Sequence, residues 1–277
     1  PVTGDLTLGS TVDGSWVPDR DWYVVDVAAS GVLTIDLDSS GFTSQDFDYF
    51  TVTVFDSDGL HLGGRTGDGV EDGIEEFNDF AFQVAATAPG LYYIEVTDAT
   101  GEPSQWGFDG QYKDDPYALS VNLEEGSVAG YETENQSNPY WQQPHEADQD
   151  ILSFGETMQG SLYSIGDQDW YALEVDGSGI VTLSLTSSGA DDVFWKGSNH
   201  YFTLEVFDHS GTNSGEALGS ITGDGSDMSF DVAIADPGTY YAKISNYDDR
   251  YLNDPYQLNA SFEAGDLQGI ETESNDS

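Results

Sequence analysis

Cysteine is absent from all 277 residues. That excludes a disulfide framework, a thiolate zinc site and a thiol nucleophile. A secreted chain of this composition needs some other staple, and calcium is the natural candidate. Cations are nearly as scarce: 6 Lys and Arg stand against 52 Asp and Glu, a formal net charge of -46. Nucleic acid and anionic membrane surfaces would be repelled by such a chain and are excluded as partners. The self-repulsion calls for screening by high salt or neutralisation by bound cations. No run of 18 apolar residues occurs, so no membrane insertion by a helix is expected. There is no initiator Met and no signal-peptide pattern, which leads us to expect a monomeric part of a longer chain.

What is present is a folding composition. Apolar residues make up 38% and aromatic residues 13%, with 16 Tyr and 14 Phe that need a core. A disordered acidic tail is poor in such residues.

The chain is a tandem repeat. At an offset of 148, 19-DRDWYVVDV-27 aligns with 167-DQDWYALEV-175, 30-SGVLTIDLDSSG-41 with 178-SGIVTLSLTSSG-189, and 88-APGLYYIEV-96 with 236-DPGTYYAKI-244. The offset becomes 152 for 49-YFTVTVFD-56 against 201-YFTLEVFD-208, and 156 for the two TGDG segments at 66–69 and 222–225. It is 139 where 114-DDPYALSVNLEEGSVAGYETE-134 meets 253-NDPYQLNASFEAGDLQGIETE-273. Landmarks in the same order along the chain identify a duplication, with units of about 130 to 140 residues.

Within each unit the apolar period is two. VLTIDLD, YFTVTVFD and LYYIEV alternate, are rich in β-branched and aromatic residues, and end in Gly, Pro, Asp or Ser turns. The pattern predicts an all-β chain of two tandem antiparallel β-sandwiches, each of about seven to nine strands, with the choice between Greek key and jelly roll left open. We place the first sandwich at 1–130, an acidic linker with an aromatic insertion at 131–150, the second sandwich at 151–268, and the start of a further linker at 269–277.

The ordered set D-x-D-W-Y, V-F-D-x-x-G, P-G-x-Y-Y and D-P-Y-x-L resembles the bacterial pre-peptidase C-terminal domain. That family is a β-sandwich found beside secreted proteases, in collagen-binding domains of collagenases and in large surface proteins. The resemblance covers both repeats. The family often opens with an acidic linker, E-x-E-x-N-D, and 271-ETESNDS-277 matches it with Glu271, Glu273, Asn275 and Asp276. A third unit is therefore expected beyond this sequence. The second unit keeps Glu132 and Glu134 of that motif, then departs with Gln136, Ser137 and an insertion of about ten residues.

In the collagen-binding relatives the acidic linker and the aspartates before the aromatic strand hold calcium. The resemblance therefore implies a calcium ion held by Glu132, Glu134, Asp167 and Asp169 in the second unit, and an equivalent site at Asp19 and Asp21 in the first. Glu271, Glu273, Asn275 and Asp276 would serve the next unit. Calcium takes six to eight oxygens, and carboxylate pairs from distant segments supply several of them. The alternative is that these aspartates are turn residues ahead of a strand. The segment 56-DSDG-59 begins like an EF-hand loop, but its twelfth position is Gly67 rather than Glu. The TGDG segments read equally as a second ion site or as glycine turns.

Nothing points to catalysis. His61, His145, His200 and His209 have no equivalents between repeats, and 145-HEADQ-149 has Gln where a zinc-binding H-E-x-x-H needs its second His. No G-x-S-x-G elbow and no phosphate-binding loop occur. The repeats differ most in aromatic loops, which carry Trp106 and Tyr112 in the first unit, Tyr140 and Trp141 in the linker, and Trp195 in the second unit. Aromatic loops on a rigid sandwich suit an extracellular peptide, protein or glycan ligand. They equally suit capping of the sandwich ends. Two functions follow as expectations: a calcium-dependent adhesive region at the cell surface, similar to repeats-in-toxin adhesins, or a calcium-rigidified spacer or appendage of a secreted protease.

Overall fold

The computed structural model describes residues 3–15, 20–39, 48–68, 80–98, 116–133, 150–162, 167–187, 202–208, 217–223, 228–246, 255–265 and 267. Among these every regular element is a strand. The chain divides into two compact units, the first holding residues 1–134 and the second most of 135–277.

The first unit contains β1 (Thr3–Asp5), β2 (Thr11–Ser15), β3 (Asp21–Val27), β4 (Gly31–Ser39), β5 (Asp48–Phe55), β6 (His61–Asp68), β7 (Phe80–Ala86), β8 (Gly90–Asp98) and β9 (Pro116–Glu125). The second contains β10 (Asp150–Ile151), β11 (Thr157–Ser161), β12 (Gln168–Val175), β13 (Gly179–Ser187), β14 (Phe202–Phe207), β15 (Gly219–Gly223), β16 (Met228–Ile234), β17 (Gly238–Asn246) and β18 (Pro255–Ala264).

Among the described residues each unit has a five-stranded and a four-stranded sheet. The orders are β1-β3-β8-β5-β6 and β2-β9-β4-β7 in the first, and β10-β12-β17-β14-β15 and β11-β18-β13-β16 in the second. Adding nine to each strand number of the first unit reproduces the second, so the duplication seen in the landmarks extends to the whole topology.

One feature departs from a purely antiparallel pattern. β1 runs parallel to β3, and β10 parallel to β12. The chain leaves the five-stranded sheet after β1, adds β2 to the opposite sheet, and returns as β3. Two crossings restore its original direction, so the two strands lie side by side pointing the same way.

Period-two patterning fills the space between the sheets. Tyr23, Val25 and Val27 of β3 pack with Val52, Val54, Ile94 and Val96 on one side, and with Leu33, Ile35, Leu37, Leu119 and Val121 from the other sheet. In the second unit Tyr171, Leu173, Val181, Leu183, Leu204, Ile244 and Leu258 are fully buried in the equivalent positions.

The SG landmark before β4 and β13 has a steric reason. A Cβ at Gly31 would run into the Glu124 carbonyl oxygen, and one at Gly179 into that of Glu263. At the same place Gly126 N–H donates to Ser30 O at 3.0 Å, and Gly265 N–H to Ser178 O at 3.1 Å. We expect Gly31→Ala and Gly179→Ala each to cost about 1–3 kcal/mol in urea unfolding, as overpacking does. Gly177→Ala, where a Cβ meets nothing within 4 Å, should stay within about 0.5 kcal/mol of the parent protein.

Candidate functional site

The residues before the aromatic strand lie on the core side of the sheet. Side chains two apart on a strand share a face, so Asp169 points the same way as Tyr171, and Asp21 the same way as Tyr23. Both aspartates are buried, Asp21 with 8% and Asp169 with 2% of its surface exposed. Burial of a carboxylate demands a hydrogen-bond donor.

The donor comes from the opposite sheet. Tyr117 of β9 donates its hydroxyl to Asp21 Oδ2 at 2.7 Å, and Tyr256 of β18 donates to Asp169 Oδ2 at 2.6 Å. Each of these tyrosines also lies within hydrogen-bond distance of the tyrosine two residues after the aspartate, Tyr23 at 2.7 Å and Tyr171 at 2.6 Å. A phenol has one proton. With that of Tyr117 committed to Asp21, Tyr23 must be the donor in its pair, and Tyr171 likewise donates to Tyr256. Two landmarks, D-x-D-W-Y and D-P-Y, are therefore the two halves of one polar chain, Tyr to Tyr to Asp, running between the sheets.

The surroundings hold this chain in place. The Tyr23 and Tyr117 rings meet edge to face at 6.5 Å, and Phe50 packs against Tyr117 at 5.4 Å. In the second unit Phe202 packs against Tyr256 at 6.3 Å. Gly14 faces Tyr117 across the strand pair, and a Cβ there would collide with the phenol. The segment 11-TVDGS-15 recurs as 157-TMQGS-161, with Gly160 in the matching place. Burial, then the contacts with Tyr23 and Asp21, push the Tyr117 phenol far above its ordinary value. Tyr23 is also raised, first by burial.

The P-G-x-Y-Y landmark has a similar explanation. The first tyrosine donates back to the carbonyl four residues earlier, Tyr92 to Ala88 at 2.7 Å and Tyr240 to Asp236 at 2.8 Å. This is the tyrosine-corner device of β-sandwiches, closing the turn between strands.

Of the other acids proposed for calcium, Asp167 is half-buried, and its Oδ1 accepts the Gln168 N–H at 2.9 Å. Glu132 is buried. The Tyr131 hydroxyl beside it donates to Gln83 on β7 at 2.8 Å, so the start of the acidic linker stays on the first unit beyond residue 130. Asp19, Glu134, Glu271, Glu273, Asn275 and Asp276 lie outside the described residues, as do Trp106, Tyr112, Tyr140, Trp141 and Trp195. Among the described residues no three His, Asp or Glu side chains converge closely enough to hold a metal ion. At 56-DSDG-59 the Asp56 carboxylate accepts the N–H groups of Asp58 and Leu60 at 2.8 and 2.9 Å, a local Asx turn.

Alternation along the same strands places a second set of residues on the outer face of each five-stranded sheet. Trp22 and Phe55 pack at 5.5 Å in the first unit, and Trp170 and Phe207 at 5.3 Å in the second. His61, buried, meets Phe55 edge to face at 5.8 Å. Beside these pairs lie the ion pairs Arg20–Glu95 and Lys243–Glu205. Loop-centred reading of the sequence passes over this face. Its signal is parity: Trp22 and Trp170 sit one residue out of step with the inward Tyr23 and Tyr171.

With this geometry in place, likeness to known proteins is informative. Residues 19–98 match the family model of the bacterial pre-peptidase C-terminal domain, which bears out the resemblance carried by the landmarks over that stretch. Among solved structures, the pre-peptidase C-terminal domain of collagenase from Bacillus anthracis is similar at 19% identity, covering 44% of this chain and 95% of that one with a TM-score of 0.30. Tandem CBM51 modules of the family 98 glycoside hydrolase from Streptococcus pneumoniae are similar at 11% identity, covering 88% of this chain and 81% of that one, also with a TM-score of 0.30. No curated protein matches the chain.

The polar chain predicts a definite mutational and pH response. Tyr117→Phe or Tyr256→Phe leaves a buried carboxylate without its phenol donor and should cost about 1–3 kcal/mol. Because the phenol is raised in the folded state and ordinary, near 10, in the unfolded chain, its contribution is complete below about pH 10. It is lost as pH rises beyond that value, since the unfolded chain then releases the proton first. Urea unfolding across pH 8 to about 11 should show stability falling above about 10, and less steeply in Tyr117→Phe.

Proposed function

We propose that this chain is a non-catalytic, calcium-dependent ligand-binding region of a large secreted or surface-anchored bacterial protein, adhering through a peptide, protein or glycan ligand. The observation that carries this reading is a contrast between inside and outside. Inside, the two units agree hydrogen bond for hydrogen bond at Asp21–Tyr117–Tyr23 and Asp169–Tyr256–Tyr171. Outside, equivalent positions carry Glu95 and Thr53 in the first unit but Lys243 and Glu205 in the second. A constant scaffold with a diverging surface is how a fold acquires binding specificity, whereas a spacer has no use for the divergence. The family match at residues 19–98 supports a non-catalytic, accessory role and an extracellular location.

Calcium fits the chemistry of the donors, which are hard carboxylate oxygens. Asp167 immediately precedes β12 and Asp169 lies within it, two residues on, and a carboxylate can accept from more than one donor or cation. Glu132, Asp167 and Asp169 do not by themselves gather into a metal-holding group, so the reading draws on Glu134 for the second unit and on Asp19 with Asp21 for the first. The adhesive loops would be those of Trp106, Tyr112, Tyr140, Trp141 and Trp195.

A second reading, a calcium-rigidified spacer or protease appendage, is favoured by the bond from Tyr131 to Gln83, which ties the linker to the first unit. Thermal melts at constant high salt in chelator, calcium and magnesium test the shared premise. Calcium about 100-fold above its Kd should stabilise the chain by about 2.7 kcal/mol, and magnesium by much less. Superimposable melts would remove calcium from the account and leave Asp21 and Asp169 as acceptors of the buried tyrosines. A calcium-dependent signal on peptide or glycan arrays would then favour adhesion over the spacer.

A further inference from the structure

The outer faces of the two five-stranded sheets carry the same rows of residues with one inversion. In the second unit Trp170, Lys243 and Glu205 form a cross-strand row, and Ala172, Tyr241 and Phe207 the next. The Lys243 ammonium lies 5.7 Å from the Trp170 ring centroid and 5.3 Å from that of Phe207, and pairs with Glu205. Its side chain is only 15% exposed. Two aromatic rings and a carboxylate around an ammonium make a complete cation cage, because ring quadrupole and carboxylate act in the same sense.

In the first unit the rows read Trp22, Glu95 and Thr53, then Val24, Tyr93 and Phe55. The aromatic pair is preserved: Trp22 and Phe55 are tilted by 37° where Trp170 and Phe207 are tilted by 42°. The lysine is not. Glu95 stands in its place with a side chain 9% exposed, so this cage carries the counter-charge in its own middle strand. Its partner Arg20 reaches it by one contact of 3.0 Å, from a side chain 68% exposed. An ion pair held so loosely from solvent is weak and exchangeable.

We infer that the outer face of the first unit is a binding site for a lysine side chain of a peptide partner. Trp22 and Phe55 supply the rings and Glu95 the carboxylate, and the incoming ammonium takes over from Arg20. The second unit shows the occupied form, filled by its own Lys243. A chain of net charge -46 steers basic partners towards itself, and the cage selects among them by desolvating one ammonium against aromatic surface. The inference rests on the ligand-binding reading and names its ligand chemistry. It needs neither calcium nor the aromatic loops.

The test uses the whole chain in chelator, so that its failure leaves the calcium reading standing and a flat calcium melt leaves this site standing. The probe is a capped Gly-Lys-Gly peptide, with the norleucine peptide as control, titrated while the indole N–H resonances of Trp22 and Trp170 are followed. Salt of about 0.5 M shortens the screening length below the ~8 Å of physiological salt and suppresses general attraction to the acidic surface. The expected result is a saturable shift of Trp22 with the lysine peptide alone, weakened roughly tenfold or more in Glu95→Lys, which fills the cage from within. Lys243→Thr should empty the second cage and add a saturable shift at Trp170. The inference is overturned if Trp22 does not respond, if the norleucine peptide acts equally, or if Glu95→Lys binds as the parent does. It is equally overturned if a folded Lys243→Thr gains no response at Trp170.

Discussion

A hydrogen-bonded chain of two tyrosines and one aspartate, crossing from one sheet to the other, is the constraint on which each unit is built. Antibody sandwiches tie their two sheets together with a disulfide, and this chain has no cysteine. Here the tie is polar: Tyr117 and Tyr256 reach from the four-stranded sheet to Asp21 and Asp169 on the five-stranded one. A buried carboxylate is costly unless satisfied. Any alternative packing that separates the sheets therefore strands a charge, and the tie specifies register as well as holding the layers.

The requirement spreads outwards. Gly14 must lack a side chain to admit the Tyr117 phenol. The aspartate must sit two residues before the first tyrosine so that both face inwards, which leaves the intervening tryptophan facing out. Trp22 and Trp170 thus owe their outward position to the inward one of their neighbours, and the aromatic ledge beside Glu95 or Lys243 is a by-product of the tie. Function has a surface to work on because the core fixes the parity of the strand.

Much of this was legible in the sequence. Period-two patterning gave the strands, and the matching offsets gave two copies of one topology. D-x-D-W-Y and D-P-Y were visible as recurrent landmarks, but their meeting was not, because Tyr117 lies 94 residues from Tyr23 and no local pattern encodes which distant strand faces which. Family likeness and the excess of acid therefore point these aspartates to calcium. For Asp21 and Asp169 the first partner is a phenol. The parallel pairing of β1 with β3 was equally hidden, since it depends on an excursion through the opposite sheet. Ion pairs on the outer face escaped because Glu95 and Lys243 look like ordinary solvent-facing positions of alternating strands until the register places them beside Trp22 and Trp170.

The most direct measurement of the central claim is a double-mutant cycle on Asp169 and Tyr256, using Asp169→Asn and Tyr256→Phe singly and together in urea unfolding. If the tyrosine-to-aspartate bond ties the sheets, the two changes should be strongly non-additive, with a coupling energy of about 1–3 kcal/mol. Additivity to within about 0.3–0.5 kcal/mol would mean that the two groups contribute independently, and would contradict the account.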